Sequence, residues 1–271
     1  MTSKAQRMPR IKKTVSFSDV PKIATIPPND SQLTADSKTT SQNSSSTWVP
    51  KLNKTVLTVP FHIPMFAYSL FEHYNITTDA VSAMSRSLVV LVAFQVVYAL
   101  ILMQNISESP KKKKTKKTVK KARVRAPESG DFLYVTFACG VTLLGTLPLF
   151  IVLILFGAPF TVLLKETYLL AVHISFLVLL PLLIVYKIAD NDSEVQPSTV
   201  WSKLLTFEVA DWYKQPAFTM AIGGVVGTWL GAIPIPLDWD RNWQTWPITL
   251  LVGAYGGAFV GNVLGQLASL V

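Results

Sequence analysis

The chain has 271 residues, half of them hydrophobic and only 15% charged, with 25 Lys and Arg against 16 Asp and Glu for a formal net charge of +9. Soluble domains carry about a quarter of their residues as charge; here the charges are also segregated, with ten positive residues between 111 and 125 and none between 132 and 156. A bilayer imposes that segregation, because a charge buried in it is costly, so a soluble enzyme and a nucleic-acid binder are both excluded.

Residues 1–54 are rich in Ser, Thr, Lys, Asn and Pro and contain no apolar core of a signal peptide. Such a segment cannot bury enough surface to offset its ordering entropy, and it is predicted to be a disordered basic tail. Within it, Lys13-Thr14-Val15-Ser16-Phe17 fits a loose phosphatase-docking pattern and offers Ser16 to basophilic kinases.

Apolar runs follow over 56–71, 88–104, 132–156, 163–188, 218–235 and 247–271. The first is short and interrupted by Pro60, His62 and Pro64, while the fourth carries His173 and Pro181. About 20 helical residues cross a hydrocarbon core, and a spanning segment must satisfy its own backbone. The expected fold is therefore an all-α membrane protein of about six transmembrane helices over 55–271. The lone Cys139 lies inside a span and leaves no intramolecular disulfide or cysteine metal site.

Six spans place the tail, the 105–131 loop, the 187–217 loop and the C-terminus on one side. That side holds 22 of the 25 basic residues; Arg86, Lys165 and Arg241 hold the other. The positive-inside rule makes the basic side cytosolic. The 111–125 lysine run reads as a topology anchor and solvated linker, with an anionic-lipid patch as the sharper reading. Trp201, Leu204, Leu205, Glu208 and Trp212 recur at helical spacing and predict a short interfacial helix over 201–213. Asn75-Ile76-Thr77 is a glycosylation sequon close behind the first run.

Two adjacent features stand above this background. Gly223, Gly227 and Gly231 recur every four residues in the fifth run, and Gly253, Gly257, Gly261 and Gly265 do so in the sixth. At that spacing glycines form a flat groove along one helix side, where another backbone can approach closely. The groove serves either an internal hairpin or a helix of another protein. Between the runs lies a loop containing Pro234, Pro236, Asp238, Trp239, Asp240, Arg241, Trp243, Trp246 and Pro247. The prolines end one helix and start the next, the tryptophans suit a lumenal aromatic belt, and the charged trio either pairs locally or addresses a phosphate or ethanolamine headgroup.

The run from Gly227 to Pro247, Gly-Thr-Trp-Leu-Gly-Ala-Ile-Pro-Ile-Pro-Leu-Asp-Trp-Asp-Arg-Asn-Trp-Gln-Thr-Trp-Pro, closely resembles the signature of the PIG-F family of glycosylphosphatidylinositol (GPI) anchor biosynthesis, in its fungal form. The match covers about residues 205–265. It implies an endoplasmic reticulum protein that is the non-catalytic partner of ethanolamine phosphate transferases, the enzymes that move phosphoethanolamine onto mannoses of the anchor precursor. A second reading is lipid handling, presenting or translocating phosphatidylethanolamine or the precursor along the glycine groove. The residues argue against catalysis. Such transfer by the known transferases uses zinc held by several Asp and His, and this chain has only His62, His73 and His173, in separate places. No cofactor or metal is expected, and the partners are the transferases and membrane lipids.

Overall fold

The computed structural model of the protein describes residues 56–106, 129–187, 197–208, 211–237 and 240–271. The 1–54 tail with its Ser16 motif, the 111–125 lysine run, and Asp238 and Trp239 lie outside them. The described chain is helical: α1 (His62–Glu72), α2 (Ala80–Asn105), α3 (Ser129–Leu155), α4 (Leu164–Tyr186), α5 (Pro197–Leu205), α6 (Pro216–Leu230) and α7 (Ile248–Ala268). Five of these segments are long and apolar enough to cross a membrane: α2, α3, α4, α6 with its following turns to Leu237, and α7.

The first apolar run departs from a spanning helix. A 3₁₀ turn, Val56–Thr58, precedes the 11 residues of α1, which reach only about 16 Å at 1.5 Å per residue. Pro60 supplies no N–H and Pro64 tolerates only the first turn, so the helix cannot begin earlier. The segment nevertheless lies antiparallel beside α2. The Tyr98 hydroxyl donates to the Thr58 carbonyl at 2.9 Å, and the His62 ring lies 5.1 Å from that of Tyr98. At the far end, Asp79 caps α2 by accepting the Ser82 N–H at 3.0 Å. Ser82 holds the Asp79 carboxyl below its ordinary pKa, through its side chain first and its backbone second. Between Ala80 and Tyr98 there are 18 helical steps, roughly 27 Å, so the 58–79 segment follows most of a span's depth without being one helix.

Ile63, Phe66 and Leu70 form the buried stripe of α1, while Met65 and Tyr68 face outward. That i, i+3, i+7 pattern is the inward face of a helix packed on one side only. In lipid such packing rests on dispersion and hydrogen bonds, because hydrocarbon is as apolar as the side chains.

α4 is the central helix. Leu170, Leu177, Leu180 and Ile184 are fully buried, as is His173. Its middle widens into a π turn, Ser175–Leu179, where the Leu180 N–H reaches back to Ser175. Pro181 follows at once, and because it has no N–H to give Leu177 the local ladder is already broken there. The wide turn presents Val178 to Gly224 of α6 and Leu179 to Gly145 of α3; a Cβ added at Gly224 would stand 2.7 Å from Val178 Cγ2. α3 is peripheral, with Phe137, Leu144, Leu147 and Ile151 exposed along its outer side.

The predicted 201–213 interfacial helix is shorter and earlier than its spacing indicates. α5 ends at Leu205, so Trp201 and Leu204 lie on it and Glu208 and Trp212 do not. Phe207 and Asp211 adopt positive φ (57° and 56°), which no α-helix accommodates. The ring of Phe207 instead packs edge-on against Trp212 and Phe218, at 6.4 and 5.5 Å between centroids.

Candidate functional site

The seven spaced glycines lie in one interface, between α6 and α7. A Cβ at Gly227 would fall 2.9 Å from the Gly257 Cα and run into the Gly253 carbonyl. One at Gly257 would fall 2.8 Å from the Gly227 Cα, and one at Gly261 3.1 Å from the Gly223 Cα. Gly231 faces Leu250, Gly253 faces Gly231, and Gly265 faces Pro216 at 2.9 Å by the same construction. Each glycine therefore meets backbone of the opposite helix. At every one but Gly265 the atom nearest the added Cβ is a backbone carbonyl oxygen, the arrangement of weak C–H···O contacts that recur where helices touch closely. Gly256, one residue from this seam, faces outward with nothing near it.

A second set of contacts ties this hairpin to the rest of the bundle. His173 Nδ1 lies 2.8 Å from the Tyr255 hydroxyl and Nε2 3.2 Å from the Met84 carbonyl. The carbonyl can only accept, so Nε2 carries the proton and Nδ1 accepts from Tyr255. The neutral ring thus joins α2, α4 and α7 at one depth, and Phe66 of α1 packs on Tyr255 with centroids 5.5 Å apart. At the other end of α7, Gln266 Nε2 donates to Thr58 Oγ1 at 2.6 Å, and Asn262 Nδ2 to the Pro216 carbonyl at 3.3 Å.

The loop between α6 and α7 is clamped by two side chains that sequence reasoning did not single out. Gln244 Nε2 donates to the Pro234 carbonyl and, at 3.3 Å, to that of Ile235. Trp246 Nε1 donates to Thr167 Oγ1 at 3.1 Å, and Thr167 donates onward to the Pro159 and Leu163 carbonyls at 2.6 and 2.9 Å. Gln244 and Thr167 are 10 and 79 residues from these partners in the chain, so no local spacing could have marked them. Trp246 is accordingly turned inward to α4, whereas Trp243, Asp240 and Arg241 are exposed. Pro236 lies in the 3₁₀ turn Ile235–Leu237, and Pro247 is the N-terminal boundary residue of α7. Asp240 has φ of 49°. Among the described residues, no three His, Cys, Asp or Glu side chains gather as a metal site.

These features define a multispan helical membrane protein whose last two helices close on each other glycine to backbone, capped by a short braced loop. The family model described as GPI biosynthesis protein family Pig-F matches residues 58–266. The chain belongs to this family and so to GPI-anchor biosynthesis. The matched region begins and ends at Thr58 and Gln266, the two residues whose side chains meet in the fold. Among similar proteins, glycosylphosphatidylinositol anchor biosynthesis protein 11 of Debaryomyces hansenii is 36% identical over 219 residues, covering 79% of this chain and 84% of that one. The Candida albicans protein of the same name is 33% identical over 268 residues (96% of each chain), and that of Saccharomyces cerevisiae 33% over 270 residues, 98% of this chain and 99% of its own. No solved structure matches.

Proposed function

We propose that the chain is a non-catalytic membrane subunit that binds and stabilises ethanolamine phosphate transferases acting on the mannoses of the GPI precursor. It sits in the endoplasmic reticulum membrane with both termini and the 105–131 loop cytosolic. The observation that carries this reading is the division of labour in the α6–α7 hairpin. Its glycine faces are filled by each other, which makes it a stiff unit, while its outer faces remain apolar and open. Val225, Val226 and Trp229 on α6 and Val260 and Leu264 on α7 are about half exposed or more. A rigid apolar pair of helices suits docking of further helices with little ordering cost. The braced loop would hold Asp240, Arg241 and Trp243 toward the lumenal side of the same partner.

The alternative, movement of lipid along the glycine groove, has less support, since the opposite backbone occupies that groove along its length. The orientation rests on the charge count and on one contact. Thr58 and Gln266 meet, so the start of the first run and the end of α7 lie at the same end of the bundle. Tyr98, 7 residues before the end of α2, joins them there.

Affinity purification of the tagged chain from microsomes tests the proposal. A transferase recovered in near-equal amount is expected, and depletion of this chain should lower transferase abundance and accumulate precursors lacking phosphoethanolamine. Normal transferase levels after depletion, together with lipid scrambling by the purified chain alone, would overturn it.

A further inference from the structure

The connection between α3 and α4, residues 156–163, reads Phe-Gly-Ala-Pro-Phe-Thr-Val-Leu, where a loop facing water would be polar. Phe156 is 80% exposed, Phe160 56% and Val162 85%. No charged residue lies between Asp131 and Lys165. The loop is nevertheless held in one shape. Ala158 is buried and its N–H donates to the Leu153 carbonyl at 2.9 Å, while the Thr167 hydroxyl engages the Pro159 and Leu163 carbonyls. A fixed backbone therefore turns the three apolar side chains outward, at the end of the bundle where Trp246 meets Thr167.

Two demands fix the depth of such a loop. Apolar side chains this exposed are disfavoured in bulk water. The hydrocarbon core is barred to the backbone: among the described residues, the N–H groups of Phe160, Thr161, Val162 and Leu163 find no protein acceptor, and unpaired peptide groups do not enter a bilayer core. The headgroup layer meets both demands, because phosphate and ester oxygens accept from N–H groups while the acyl chains beneath take the side chains. A helix of another protein would cover the side chains, but its carbonyls are committed within it and would leave these N–H groups unanswered. Helix length gives the same depth. The apolar part of α3, from Phe132 to Leu155, rises roughly 36 Å at 1.5 Å per residue, or about 34 Å at the usual tilt of ~20°. That exceeds a hydrocarbon core of about 30 Å, so the end of α3 stands among the headgroups. We propose that the 156–163 loop is an interfacial wedge in the leaflet on the side of the α6–α7 loop. Its peptide groups lie among phospholipid headgroups, and Phe156, Phe160 and Val162 insert into the acyl chains. The wedge continues the outer side of α3, where Ile151, Val152 and Leu155 are exposed. Because Thr167 ties it to Trp246, its depth also sets the depth of the α6–α7 loop.

The full chain, purified and reconstituted in phosphatidylcholine vesicles, tests the wedge. With Cys139→Ser, single nitroxide labels on Phe156→Cys, Phe160→Cys and Val162→Cys should relax more with oxygen than with a water-soluble nickel chelate. A label on Asp240→Cys, in the exposed part of the α6–α7 loop, should show the reverse. Phe160→Asp with Val162→Asp should raise nickel access at the 156 label several-fold, because two carboxylates draw the loop toward water. Nickel access at the three loop labels equal to that at Asp240, or unchanged at 156 by the two aspartates, would overturn the wedge. So would labels shielded from both reagents, since protein would then cover the loop. In microsomes, where native partners are present, a benzophenone amino acid replacing Phe160 should yield lipid adducts on illumination. Absence of lipid adducts, or a discrete protein band in their place, would overturn the proposal and assign these side chains to a partner.

Discussion

The contrast between Gly257 and its neighbour Gly256 gives the sharpest test of the hairpin. Replacing either with Ala in the interior of α7 favours the helix by about 1 kcal/mol on propensity alone. At Gly256 nothing lies within 4 Å of the new Cβ, so only that gain remains. At Gly257 the Cβ would stand 2.8 Å from the Gly227 Cα and closer still to the Gly223 carbonyl. Both obstacles are backbone, so no rotamer change can relieve them, and the helices must move apart by about 0.5–1 Å. Such a gap forfeits a quarter to a half of the dispersion well; for on the order of 50 close atom pairs at ~0.1–0.2 kcal/mol each, the loss is about 1–5 kcal/mol. Steric-trap or denaturant unfolding of the purified protein in micelles should therefore rank Gly256→Ala at or above the parent and Gly257→Ala below Gly256→Ala by that margin. Equal stability of the two variants would refute the reasoning, because it would mean that the helices are not in backbone contact at the seam.

Four further outcomes are expected. His173→Leu should lower stability by about 1–3 kcal/mol, since it leaves the buried Tyr255 hydroxyl without a partner, and adding Tyr255→Phe should recover part of that loss in a double-mutant cycle. Gln244→Ala should leave insertion intact but speed hydrogen exchange over 233–246 and weaken transferase recovery, because the two carbonyls it clamps are released to water. Reporter tags after Met1 and Val271 should face the cytosol and one at Asn242 the lumen; a lumenal N-terminus would show that the 58–79 segment does not cross. Deleting residues 2–45 should leave abundance and anchor synthesis near normal, as measured by immunoblot and surface display of an anchored reporter.

The sequence by itself determined the class of the protein, its long helices and the family. Charge exclusion and uninterrupted apolar runs are one-dimensional consequences of the bilayer, so α3, α4 and α7 fall close to where hydropathy places them, whereas α2 begins eight residues before its apolar run and takes in Arg86. The four-residue glycine spacing likewise marked the faces of α6 and α7 that come together, because that spacing is a property of a single helix. Tertiary structure decided the rest. Whether a glycine face meets its own hairpin or another chain depends on register between helices, which no local pattern encodes. The 56–71 run is largely apolar, yet prolines at 60 and 64 shorten its helix, and tertiary contacts such as those with Tyr98 and Gln266 carry it alongside α2 and α7. Gln244, Thr167 and the His173–Tyr255 pair act across 10 to 82 residues of chain. Their partners are backbone carbonyls, a hydroxyl and an indole N–H, common groups that acquire a role only when folding brings one donor to one acceptor away from water.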